Sequence, residues 1–163
     1  MAENPGYYDR GELELVKPKY VTPITTPVTE CWVHHGGDSG PNPATTEQAI
    51  TRWQNYQRYH MNSKGWSDIA YNHGVTPQGD LFRGRGWKRQ GGATGSPQDA
   101  RSMSACAIGN YDVYKPTDAL LEALAAHIAW GSYRQTMVPM SELNVYGHRE
   151  KGTGTACPGR HLM

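Results

Sequence analysis

Two histidines, His34 and His35, close a β-favouring run near the start of the chain, while His148 and Cys157 stand nine residues apart on one glycine- and threonine-rich loop near its end. Imidazole nitrogen and thiolate sulfur are donors that Zn2+ prefers, and a catalytic zinc site takes three protein ligands and leaves a fourth position for water. His148, Cys157 and one histidine delivered by a distant strand would meet that count. Spacing alone does not choose between His34 and His35, and neither an HExxH helix nor a paired CxxC strengthens the pattern. The same residue types also suit a cysteine hydrolase, because Cys–His pairs cut amides too. Pro158 directly after Cys157, with no helix start behind it, argues against an activated thiolate nucleophile there.

Elements from both ends of the chain must bring these side chains together. The run Val28 to His35 is stopped by Gly36-Gly37 and predicts a strand with both histidines at its C-terminal end, facing opposite ways because side chains alternate. Leu143 to Gly147 predicts a second strand, which delivers His148 into the loop that ends at Gly159. Between them, Thr45 or Thr46 opens a helix running to about Met61, with Thr45 and Gln48 spaced as a capping box and Ala49, Trp53, Tyr56 and His60 on a core face. A hairpin follows, in which Ile69, Tyr71, His73 and Val75 alternate before the turn Thr76-Pro77-Gln78-Gly79, so that His73 shares the Tyr71 face. Gly86 to Arg101 reads as a long loop, the kind of segment that often forms a binding surface. After a strand at Met103 to Gly109, Thr117 or Asp118 starts the strongest helix, to about Tyr133, with Leu120, Leu121, Leu124, Ala125, Ile128 and Gly131 as its buried stripe and His127 at the margin.

Residues 1–27, broken by Pro5, Pro18, Pro23 and Pro27, read as an extended N-terminal arm, and residues 28–163 as the catalytic domain. Strands alternating with two amphipathic helices predict an α/β fold, one domain with a central mixed β-sheet flanked by helices. At 163 residues the chain can bury about two-thirds of its unfolded surface without a staple. Sixteen basic against fifteen acidic side chains create no global field toward nucleic acid or anionic lipid, so no nucleic-acid partner is expected. Three widely spaced cysteines are not a disulfide framework, and Cys31 and Cys106 read as small buried apolar groups. Neither a signal-like N-terminus nor an apolar run of membrane-spanning length is present, so no membrane insertion is expected, and the expected setting is synthesis in a host cytoplasm. A monomer is expected.

Several segments are similar, in wording and in order, to the zinc-dependent N-acetylmuramoyl-L-alanine amidase family that contains phage amidase endolysins and peptidoglycan-recognition proteins. They are Trp32-Val33-His34-His35, Trp66 to Asn72, Gly79 to Trp87, Ser102 to Tyr111, Gly147-His148-Arg149-Glu150 and Thr155-Ala156-Cys157-Pro158-Gly159, and together they cover about residues 28–160. The resemblance implies an amidase/peptidoglycan-recognition-like fold, with Zn2+ held by His34, His148 and Cys157 and with His35 beside the metal, packing or touching substrate. It implies that Tyr71 and Thr155 lie near the attacked amide as hydroxyl donors to a developing oxyanion, and it makes Arg85 and Trp87 candidate substrate contacts. The implied partner is bacterial peptidoglycan, cut between N-acetylmuramic acid and L-alanine, and the implied role is that of a phage endolysin that reaches the wall after release. A non-catalytic peptidoglycan-binding module on the same fold is the alternative. Two departures stand out. The loop from His148 to Cys157 is one residue longer than the usual pattern, which leaves Thr153 and Thr155 both in contention. Gly91-Gly92-Ala93-Thr94-Gly95 lacks a histidine that many relatives carry there. Glu150 reads as a solvated loop charge.

Overall fold

Every residue of Ser102–Ala107, and all but the first of Glu30–His35, is buried, as expected of central parallel strands covered on both faces. In a computed structural model describing residues 6–134, 138–152 and 154–162, these are strands β5 and β2 of a six-stranded sheet. The others are β1 (Tyr7–Tyr8), β3 (His73–Val75), β4 (Leu81–Arg83) and β6 (Asn144–Gly147), in the order β1-β4-β3-β5-β2-β6. Only β3 and β4 pair antiparallel, through the predicted hairpin, so the sheet is mixed.

Helix α1 (Thr46–Arg58) covers one face, where Ala49 and Trp53 pack with Cys106, Ile108, Ile69 and Phe82. Thr45 caps it by accepting from Gln48 N, while Gln48 Oε1 reaches back to Ala44 N, one residue earlier than a reciprocal box. The expected run to Met61 ends as α-helix at Arg58 and continues as a π turn, Tyr59–Ser63, which rolls His60 inward. Helix α2 (Asp118–Arg134) covers the other face, with Leu120, Leu124 and Ile128 against Val33, Ala105 and Ala107. Leu121 and Ala125, expected in its stripe, face solvent. His127 is buried instead, because its ring stacks on His73 and Trp87 at centroid distances of 4.5 and 4.8 Å.

Tyr71 and His73 do not share a face. Gly84 N and Gly86 N both donate to Asn72 O, a bulge-like interruption just before β3, and Tyr71 therefore turns to the α1 side while His73 faces α2. Asn72 pins this kink. Its Nδ2 donates to the carbonyls of Gly86 and Arg89, and its Oδ1 accepts from Ser104 N and Oγ, so the start of the long loop is tied to β5. The N-terminal arm packs onto the domain rather than standing off it: β1 extends the sheet, Leu13 is fully buried, and Arg10 bridges to Asp68 at 2.8 Å.

None of the four ring nitrogens of His73 and His127 has a hydrogen-bond partner among the described residues. Desolvation holds both rings neutral, pushing His127 down to about 4 and His73 well below the usual imidazole range, the latter helped by His127 and Arg83. Unfolded, each would titrate near 6.5. The unfolded chain therefore binds more protons in that window, and the stability the pair contributes is complete above about pH 6.5 and is lost as pH falls toward about 4. Urea unfolding of His127→Leu should show a shallower loss of stability than the wild type between about pH 7 and pH 4.5.

Candidate metal centre

Strands β2 and β6 run parallel with Val33 opposite Gly147, so the next residue of each, His34 and His148, emerges at the same edge with ring centroids 4.7 Å apart. This is the carboxyl end of parallel strands, where α/β sheets place their ligands. Past Gly147 the chain enters a 3-10 turn, His148–Lys151, whose N-cap amide, Gly147 N, donates to Glu150 Oε2 at 2.6 Å. Glu150 is exposed, as expected of a solvated loop charge, and its carboxylate also fixes the start of the turn carrying His148. The loop then returns Cys157, held by Arg149 N donating to its carbonyl (2.7 Å) and by its own amide donating to Thr155 Oγ1 (3.2 Å). His35 N donates to Cys157 Sγ at 3.4 Å.

The donor atoms of His34, His148 and Cys157 all lie within 4.8 Å of one another, and no other group of three or more His, Cys, Asp or Glu among the described residues is so placed. His34 Nδ1 and Cys157 Sγ are 3.6 Å apart. Tetrahedral Zn–N and Zn–S bonds of about 2.1 and 2.3 Å would set those atoms about 3.6 Å apart, so the pair already stands at the separation one ion demands. Charge fits as well. Burial, with the neighbouring imidazoles adding to it, lowers His34 well below the usual range, and burial followed by Lys151 lowers His148, so both rings are neutral with lone pairs free. Burial pushes the Cys157 thiol up to about 11 against the opposite pull of His35 N–H and Arg149. Burial thus disfavours the thiolate that a cysteine nucleophile needs, whereas a divalent cation would favour it.

Over residues 25–160 the chain matches the family described as N-acetylmuramoyl-L-alanine amidase. The chain belongs to that family. Among its relatives is peptidoglycan-recognition protein SC2 of Drosophila melanogaster, 35% identical over 130 residues, covering 80% of this chain and 67% of the relative. The N-acetylmuramoyl-L-alanine amidase of Mus musculus is 28% identical over 142 residues, covering 87% of this chain but only 26% of that much longer protein. Drosophila PGRP-LB superposes with a TM-score of 0.89 over 98% of this chain and 91% of the other, at 25% identity. A variant of the same Drosophila protein, solved in complex with tracheal cytotoxin, superposes with a TM-score of 0.87 at 24% identity, covering 95% of this chain and 89% of the other.

In this amidase-family domain the triad opens into a cleft of about 300 Å3, lined also by His35, His60, Trp66, Tyr71 and Thr155. Tyr71 packs its ring 5.6 Å from that of His34, with its hydroxyl directed to His35 O. Burial raises its pKa well above the ordinary phenol value, so it remains a proton donor. His35 turns away from the donor cluster, its Nδ1 accepting from Tyr111 N at 3.0 Å. Thr153 lies outside the described residues. Trp87 is not at the cleft: its ring packs against His73, His127 and Trp130 on the α2 side, because the loop past Gly86 crosses to that face. Arg85 spends its guanidinium on the carbonyls of Ile69, Gln90 and Gly91, and lines an adjoining hollow with Tyr20 and Trp66. Sequence reasoning missed His60 and Trp66, stacked at 5.0 Å on the cleft wall, and Thr94, which touches His34. The absence of a histidine from the Gly91–Gly95 stretch marks the segment but singles out no residue within it.

In metal analysis of purified variants, His34→Ala and Cys157→Ala should lose stoichiometric zinc. His35→Ala should retain most of it, since the ring of His35 is engaged elsewhere.

Proposed function

We propose that this chain is a zinc-dependent amidase that hydrolyses the bond between N-acetylmuramic acid and L-alanine in peptidoglycan. The observation that carries this reading is the complete His34–His148–Cys157 donor set at the floor of an open cleft. Family membership supplies the reaction type, and the tracheal cytotoxin bound by the Drosophila neighbour supports a muropeptide as substrate. When bound, Zn2+ polarises a carbonyl and acidifies a water toward neutral pH.

The chain's own residues do the rest. Tyr71 and Thr155 line the cleft; Thr155 Oγ1 accepts from Cys157 N, which leaves its own hydrogen free for substrate, and the Tyr71 hydroxyl, held by a long 3.5 Å contact to His35 O, turns to substrate when it binds. Preorganised donors of this kind stabilise the negative charge that develops on the amide oxygen. No carboxylate lines the cleft among the described residues, so the proton for the departing alanine nitrogen passes through Tyr71 or a relayed water. We read the biological setting as that of a phage endolysin, on the resemblance to phage amidases.

The competing outcome is peptidoglycan binding without cleavage, which the recognition-protein relatives represent. Incubating cell walls with the protein should release muramic lactyl carboxylate and alanine amine ends, an activity abolished by chelator and restored by zinc. Binding with no new ends would sink the amidase reading. Tyr71→Phe should bind zinc as the wild type does yet lose about a hundredfold in kcat, as removal of one oxyanion donor generally does.

A further inference from the structure

The ligand His34 is held at its far nitrogen by a side chain outside the triad. His34 Nε2 lies 3.1 Å from Thr94 Oγ1, and both residues are buried. The opposite nitrogen, Nδ1, is the one that faces Cys157 Sγ. A neutral imidazole carries one proton, so whichever nitrogen is protonated cannot serve as a ligand. Thr94 is itself fixed from three sides. Its amide donates to Asp99 Oδ1 at 3.1 Å, and the next amide, Gly95 N, donates to Asp99 Oδ2 at 2.8 Å. Its carbonyl accepts from Lys151 Nζ, on the same short turn that carries His148. The one clamp therefore touches the supports of two ligands from different parts of the chain.

We infer that Thr94 is a positioning residue for the metal centre: its hydroxyl oxygen accepts the Nε2 proton of His34 and so keeps Nδ1 bare and aimed at the site. This rests on the zinc reading, but the contact itself needs no ion. Metal-ligating histidines depend in this way on the acceptor at their other nitrogen, whose loss typically lowers metal affinity tenfold to a hundredfold. In this chain Asp99 and Lys151 make the position of the Thr94 hydroxyl rigid.

The test compares wild type, Thr94→Val and Thr94→Ser. Valine keeps the shape and removes the acceptor, and serine restores the oxygen. In metal-free protein at a pH where the ring is neutral, 15N chemical shifts of His34 should report the Nε2–H tautomer in wild type and Thr94→Ser, with the Nδ1–H form appearing in Thr94→Val. Competition against a chromophoric chelator should show zinc affinity about tenfold or more weaker in Thr94→Val and largely recovered in Thr94→Ser. Unchanged tautomer and affinity in Thr94→Val, or equal weakening in both variants, would overturn the assignment. Wild type that binds no zinc yet shows the tautomer shift on Thr94→Val would remove the enzymatic reading and still uphold the contact.

Discussion

The centre exists because β2 and β6 pair in parallel with Val33 opposite Gly147. Parallel strands end at the same edge of a sheet, so the residues that follow them are delivered side by side without any further device. Antiparallel pairing of the same two segments would send His34 and His148 to opposite edges. The long return loop then has one task, to bring a sulfur back over the same edge. It does so through backbone bonds: Arg149 N to Cys157 O, Cys157 N to Thr155 Oγ1, and His35 N to Cys157 Sγ.

Burial does the electrostatic work. The imidazoles of His34 and His148 are neutral because burial leaves a protonated ring poorly solvated, and burial likewise keeps the Cys157 thiol protonated unless a nearby positive charge stabilises the thiolate. The same physics has a different result across the sheet. There His73 and His127 are also buried and neutral, but Trp87 packs against both rings and no third donor among the described residues approaches, so the pair is a packing unit and not a ligand set.

Much of this was legible in the sequence. The alternation rule turned His34 and His35 opposite ways while the family resemblance chose between them, the Thr45 cap and the hairpin turn fell where their residues put them, and the mixed sheet followed from the order of strands and helices. What escaped was tertiary. A bulge at Asn72 reverses the facing of Tyr71 relative to His73, and no two-residue period reveals an interruption made by amides ten or more residues away. The stripe of α2 exchanges Leu121 for His127 because of ring stacking with residues distant in the chain. Trp87 was read with its motif rather than with the path of its loop. Thr94 is one threonine in a flexible-looking glycine stretch until the fold sets it beside a histidine sixty residues earlier.

His34 and Cys157 are separated by 123 residues, nearly the length of the domain. Closing so long a span carries a large entropic penalty that only the assembled sheet and both helical layers can offset. A partly folded chain would therefore present two or fewer of the three donors together, and the full set exists only in the completed topology. An ion that needs all three donors would favour the native state over any species offering fewer. A single backbone cut anywhere between the two residues, followed by separation of the pieces, would divide the donors between fragments neither of which could hold the ion.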